Sequence, residues 1–266
     1  MKNTIPNKEI TLTIVTITKN DPVGMMKTKT SILAQNDSTF EWLIVNGGEK
    51  IMFDQTISSI CSIRLIQEPD EGIYDAMNKG AHHARGLYLL YLNSGDRLAD
   101  VDTVLQIKDH LKQTSADIVY GNSIEELPNS SLAFRKASSV SRIWECLFAR
   151  HQAIIYSRAC ILKEKYDPSY KYCGDYELTA RLLGKGVTTQ FLDIPLCIFN
   201  RTGISQSHFV RARAETLRFR KKHLAQSWIF ARLIVAKLIL QGSVNYYCPK
   251  LYERLLRLTG RWKEVA

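Results

Sequence analysis

The 266-residue sequence has no apolar run long enough to cross a bilayer. Its longest, residues 228–240, is broken by Arg232 and Lys237 and falls short of the ~20 residues a spanning helix needs. No leader is expected either. Residues 1–9 are polar, and residues 10–18 are too few for a signal-peptide core with its cleavage site, so a cytoplasmic protein is expected. Cysteines at ligand spacing are absent. The six, at 61, 146, 160, 173, 197 and 248, contain no C-x-x-C, and read as free thiols in a reducing compartment. Repeats and low-complexity tracts are also lacking.

Net positive charge is missing from three quarters of the chain. The formal net charge is +10, yet residues 201–266 hold 14 Lys and Arg against 3 Asp and Glu, leaving 22 against 23 in residues 1–200. A main domain that grips nucleic acid would carry the excess itself, so nucleic acid is not an expected partner. A neutral domain with a cationic tail is the pattern of peripheral attachment to an anionic membrane face. We therefore divide the chain into a domain over 1–205 and a basic helical segment over 206–266.

What is present alternates between strand and helix. Residues 10–18 (ITLTIVTIT) are β-branched and end at Asn20-Asp21-Pro22, which predicts a buried first strand and a polar loop. A helix over 23–36 follows, with Met26, Ser31, Ile32 and Leu33 near its inner face. Strands are predicted at 41–45, 63–67 and 87–92, with helices at 53–61, 73–84 and 101–112 between and after them. Further on, strands are expected at 117–120 and 152–156, a polar loop at 125–131, and a helix in the latter half of 166–183. This order implies an α/β fold with a mostly parallel sheet flanked by helices. Ligands of such sheets lie at the carboxyl ends of the strands. Those ends carry Thr16, Thr18 and Asn20, then Asn46-Gly47-Gly48, then Asp70, then Asn93-Ser94-Gly95-Asp96.

The stretch Glu68-Pro69-Asp70-Glu71-Gly72-Ile73-Tyr74-Asp75-Ala76-Met77-Asn78-Lys79-Gly80, then Leu92-Asn93-Ser94-Gly95-Asp96, then His151-Gln152-Ala153 and Tyr172-Cys173-Gly174-Asp175-Tyr176-Glu177-Leu178, resembles family 2 glycosyltransferases. The likeness is to the colanic-acid type of bacterial surface-polysaccharide pathways, and it spans residues 10–200. It implies a GT-A fold with a basic helical C-terminal extension. It also implies inverting transfer of a sugar from a nucleotide-diphosphate sugar to a saccharide or a polyprenyl-diphosphate-linked acceptor. By the same resemblance Thr16, Thr18, Asn20, Asn46, Asp70, Asn78 and Asp96 would meet the nucleotide sugar, and His151 and Gln152 the acceptor side. Asp96 would hold a divalent cation, Mn²⁺ or Mg²⁺. The family's acidic cluster is thinned, with Asn93 and Gly95 where acids often stand, and Asn46 replaces the usual base-recognising Asp. Asp175 matches the catalytic Asp, a general base worth on the order of 10²–10⁴ in rate.

Local chemistry offers each residue a plainer role. Asp175 is also a good first-turn acid, Thr16 and Thr18 are good strand formers, and Asn78 is able to bridge backbone groups. Rival functions are a binding subunit that has lost activity and a nucleotidyltransferase. The latter lacks its glycine-rich loop, since Lys19-Asn20-Asp21-Pro22-Val23-Gly24 stands in that place. The tail has two readings: docking at the inner face of the cytoplasmic membrane, or packing on the domain with its cations in water.

Overall fold

The computed structural model describes residues 9–52, 61–127, 131–200, 209–224, 227–247 and 263–264. The helix predicted at 53–61 and Cys248 lie essentially outside these. The first strand, β1 (Leu12–Thr18), is buried along its whole length. It pairs in parallel with β2 (Glu41–Asn46) on one side and β4 (Tyr88–Tyr91) on the other, and β3 (Ser62–Gln67) extends the set beyond β2. Strand periodicity sends Val15 and Ile17 to one face, with Leu43, Val45, Leu89 and Tyr91. It sends Leu12 and Ile14 to the other, with Trp42, Ile44, Leu90 and Leu92. Helix α2 (Ile73–His83) covers the first face, and α1 (Pro22–Leu33) and α3 (Thr103–Leu111) contribute to the second.

Helix α1 starts where its chemistry says it should. Pro22 opens it and the Asp21 carboxylate accepts the Gly24 amide at 2.9 Å. Its inward residues are Gly24, Thr28 and Ile32, while Met26 is exposed. The expected face is thus rotated, because Thr28 points at the Asp96 turn, where its hydroxyl donates to the Asp96 carbonyl at 2.7 Å.

Beyond β4 the sheet changes character. A short β5 (Arg97–Leu98) leaves the Asp96 turn. The long β6 (Ile118–Glu126), β7 (Leu132–Arg135) and β8 (Ile154–Ser157) run antiparallel to their neighbours, so the order is β7-β6-β8-β4-β1-β2-β3. Strand β9 (Thr189–Asn200) runs parallel to β6, with register shifts beside Asn122, and pairs antiparallel with β5. Helices α4 (Arg158–Glu164) and α5 (Gly174–Gly184) pack on the α2 side.

The basic segment forms α6 (Phe209–His223) and α7 (Trp228–Tyr247), and β10 (Lys263–Glu264) pairs with β7. Helix α6 buries Ala212, Thr216, Phe219 and Arg220 and exposes Arg211, Arg218, Lys221 and Lys222. Phe219 joins the main core and meets Tyr176 edge-on at 4.5 Å. A buried Phe contributes roughly 1.5–3 kcal/mol, whereas an exposed ion pair contributes about 0–1 kcal/mol. Packing therefore sets where α6 lies. The Arg220 guanidinium, fully buried, donates to the carbonyls of Trp144 and Glu145 and to the Tyr176 hydroxyl at 2.8 Å. Its burial pushes its pKa down from the ordinary arginine value.

Candidate active site

The ends of β1, β2 and β3 meet in one interlocked edge. Asn20 adopts a left-handed conformation, φ 53°, and its side-chain oxygen accepts the Glu49 amide at 2.8 Å. The Asn46 amide donates to the Glu49 carbonyl at 2.7 Å, while its oxygen accepts the Gly48 amide at 3.1 Å. Asp70 accepts from Lys19 at 3.4 Å and from its own turn, the Gly72 amide, at 3.1 Å. Gly47 passes so close to the Asp70 carboxylate that no Cβ fits between them. Thr18, the last residue of β1, is buried at this edge.

The end of β4 continues into the Asn93-Ser94-Gly95-Asp96 turn, closed by the Asp96 amide on the Asn93 carbonyl at 3.0 Å. Gly95 takes φ +96°, a left-handed value that glycine adopts without strain. Asp96 is almost fully buried, and one carboxylate oxygen accepts the Gln152 amide at 2.7 Å. The side-chain oxygen of Asn93, in the same turn, is buried with no hydrogen-bond partner. A carboxylate and an unpaired amide oxygen are the hard oxygen donors that Mg²⁺ or Mn²⁺ takes, so these residues fit such a cation. Among the described residues no group of three or more His, Cys, Asp or Glu could hold a metal by itself. These two residues by themselves would offer such a cation one or two ligands.

Asp175 sits in the first turn of α5, half-buried in an aromatic pocket. The Tyr74 hydroxyl donates to it at 3.2 Å, and the Tyr74 ring lies against Gly174, where a Cβ would clash at 2.8 Å. Tyr74 stacks on Tyr166 at 5.6 Å, and Tyr166 stands edge-on to Tyr91. Burial first, then the Asp175 charge, holds the Tyr74 hydroxyl well above its ordinary pKa, so it remains a proton donor. The Thr179 hydroxyl donates to the Asp175 carbonyl at 2.7 Å and meets the Tyr156 hydroxyl at 2.7 Å. Glu177, two residues on, turns away to Arg181 and His223.

The short helical turn His151–Ala153 links these two places. Gln152 holds Asp96, while His151 stacks on Tyr91 at 5.5 Å and its Nε2 lies 3.0 Å from the Tyr166 hydroxyl. Burial lowers the His151 pKa, and the charge of Asp175 pulls the other way. His151 is thus a buried neutral ring within electrostatic reach of Asp175. Behind it Arg150 pairs with the buried Glu125, which Arg135 also holds at 2.9 Å.

Two expected contacts turn elsewhere. Thr16 faces the core, where its hydroxyl accepts from the Trp42 ring nitrogen at 3.0 Å. Asn78 binds both backbone polar groups of Tyr166, donating to its carbonyl at 2.9 Å and accepting its amide at 2.8 Å. It shapes the aromatic pocket rather than the edge of strand ends. Sequence reasoning passed over Tyr166 and gave Tyr74 no part beside Asp175. The signal for Tyr74 was available, since a tyrosine stands at the start of a helix that opens on the strand ends.

The family description Glycosyl transferase family 2 matches residues 13–165. A PGL/p-HBAD biosynthesis glycosyltransferase of Mycobacterium bovis is 29% identical over 188 residues, covering 65% of this chain and 70% of that one. An uncharacterized glycosyltransferase of Mycobacterium tuberculosis is 26% identical over 263 residues, 92% of this chain and 96% of its own. Among solved structures, Staphylococcus aureus TarS 1–349 in complex with UDP-GlcNAc superposes with TM-score 0.58 at 13% identity, covering 89% of this chain and 73% of that chain. A Pyrobaculum calidifontis mannosyltransferase in complex with GDP-Man and Mn²⁺ gives TM-score 0.58 at 15% identity, covering 96% and 81%. These likenesses establish the fold that the chain shares with them, the α/β GT-A arrangement.

Proposed function

Because the chain belongs to glycosyl transferase family 2, we propose that it moves a sugar, with inversion, from a nucleotide-diphosphate sugar to a hydroxyl of a saccharide or polyprenyl-diphosphate-linked acceptor. The observation that carries this reading is the His151-Gln152 pair, which touches the Asp96 turn with one side chain and the Asp175 pocket with the other. Two carboxylates 79 positions apart in sequence are thereby linked through adjacent residues of one turn. The nucleotide lies along the edge of Thr18, Asn20, Asn46 and Asp70, with its diphosphate toward Asp96. Asp96 and Asn93 would hold a divalent cation, which supplies charge neutralisation for the departing diphosphate.

Asp175 takes the proton of the acceptor hydroxyl as that oxygen forms its bond to the anomeric carbon and the diphosphate oxygen leaves from the opposite face. The Tyr74 hydroxyl fixes the carboxylate's orientation, and the surrounding rings keep water out. UDP and GDP sugars lead the donor candidates, since similar folds are seen with UDP-GlcNAc and GDP-Man. A lipid-linked acceptor accords with the tail. Helix α7 exposes Ile229, Phe230, Leu233 and Leu240, and α6 beside it exposes Lys221 and Lys222. No helix among the described residues is long and apolar enough to cross a membrane, so the contact would be peripheral, each cation adding about 1 kcal/mol at an anionic leaflet.

A thermal-shift panel of UDP, GDP and dTDP sugars, with and without Mn²⁺, tests the donor. One nucleotide class should stabilise the protein, and more so with the metal; a panel without any shift would overturn the reading. Flotation with phosphatidylglycerol against phosphatidylcholine vesicles tests the tail, and equal recovery from both would remove the anionic-membrane contact.

A further inference from the structure

The residue chemistry of the tail contains one oddity. Between residues 201 and 252 a run of cations is interrupted by a single acid, Glu215, in the middle of α6. A lone carboxylate among arginines ordinarily pairs with one of them. Here it does something else. One Glu215 oxygen accepts the Lys171 amide at 2.7 Å, and the other accepts the amides of Tyr172 at 2.9 Å and Cys173 at 3.2 Å. The Cys173 thiol completes the set at 3.5 Å. Those three residues lead directly into α5, whose N-terminus receives no side-chain cap from its own preceding residue, Cys173.

A helix start leaves backbone amides without intrahelical partners, and a carboxylate beside it is favoured by the same dipole. Glu215 satisfies the approach to α5 from another element, 40 residues downstream of Asp175. On the opposite side the Tyr74 ring presses on Gly174. Between them they fix the first turn of α5, and Asp175 is its second residue. The carboxylate of Glu215 is directed at the backbone before the helix, and Asp175 takes its own hydrogen bond from Tyr74. The neighbouring anchors hold α6 in register: Phe219 in the core and Arg220 on the carbonyls of Trp144 and Glu145. Lys171 also reaches back to the Glu71 carbonyl at 3.0 Å, tying the same loop to the turn after Asp70.

We infer that Glu215 is a positioning residue for Asp175, so that the C-terminal helices form the supporting wall of the active site. This rests on the reading of Asp175 as the base. Misplacing a reacting group by about 1 Å costs on the order of 10² in rate. Substitution at 215 should therefore slow the step that Asp175 serves and spare donor binding, since the Glu215 carboxylate bonds residues 171–173 and not the strand ends.

The test uses the full chain with UDP-GlcNAc and GDP-mannose as probes in Mn²⁺, following release of nucleoside diphosphate as water replaces the acceptor. Glu215→Ala and the gentler Glu215→Gln should lower kcat for whichever probe is cleaved, the Ala variant by on the order of 10², with donor KM unchanged. Glu215→Asp should recover part of the loss. Amide hydrogen exchange supplies a readout that needs no substrate. Residues 171–173 should exchange at least about tenfold faster in the Gln variant, because hydrogen bonds to a charged acceptor are lost. Where neither probe is cleaved, exchange alone decides, and unchanged protection overturns the inference. Asp175→Asn separates the two levels. If it cleaves as fast as wild type, the base assignment falls. If it is inactive while Glu215→Gln keeps full kcat, only the role of Glu215 falls.

Discussion

The two sides of the site are built differently. The nucleotide edge is made of strand ends that follow one another within residues 18–96, and its side chains largely bind the backbone of their own loops. The Asp175 side is made of rings and carboxylates from residues 74, 151, 166 and 215, which meet only when α2, the His151 turn and α6 have docked. The first side is assembled by local turn chemistry and the second by tertiary packing. Damage to the first should be read in binding, and damage to the second in rate.

Breaking that contrast most severely is Asp175→Asn. It should cost on the order of 10²–10⁴ in transfer with donor-induced thermal stabilisation intact, and a donor affinity that falls in parallel would erase the division. Next is Asp96→Ala. It should abolish the Mn²⁺-dependent part of the donor shift, the whole shift being worth about 2.7 kcal/mol at a hundredfold excess of donor over Kd; an undiminished metal response in calorimetry would remove Asp96 from the cation. A smaller effect is expected for Tyr74→Phe, which removes the hydroxyl from Asp175 and keeps the ring over Gly174. The rate should fall about tenfold, the worth of one hydrogen bond to a charged group, and steady-state kinetics with unchanged donor KM would confirm it.

The mildest test is pH. Burial lowers the His151 pKa below the ordinary 6.5, so the folded state favours the neutral ring. The stability linked to it is fully present above pH 6.5 and is lost as pH falls from there toward the lower folded value, at up to about 1.4 kcal/mol per pH unit. Melting temperatures between pH 7.5 and 5.5 should fall less steeply for His151→Asn than for wild type.

The same contrast explains what could be read from sequence. Strands β1, β2 and β4 are largely buried on both faces, so they read as β-branched or apolar stretches ended by turn residues, and their order and polar ends follow directly. Strand β9 escaped because Pro195 interrupts it, and proline argues against a strand. The structure accommodates Pro195 opposite Asn122, where the register with β6 shifts. Helix α4 has seven residues, too few for a helical period to show. Asp96, Gln152 and Asp175 were marked from motif resemblance, but no spacing reveals that Tyr74 reaches Asp175 across 101 positions. Thr16 and Asn78 each had a plainer reading beside the ligand one, since a polar residue on a buried strand or helix serves a core indole or a neighbouring backbone as readily as a ligand.

The closeness of Gly47 to Asp70 has a practical side. The carbon that an alanine would add at position 47 falls on the space of the Asp70 carboxylate, and one at position 48 falls on the Asn20 amide oxygen. Either methyl would evict a polar group that it does not resemble and never binds. Positions with no side chain at all are thus the most economical handles on this edge, and a screen confined to polar residues would overlook them.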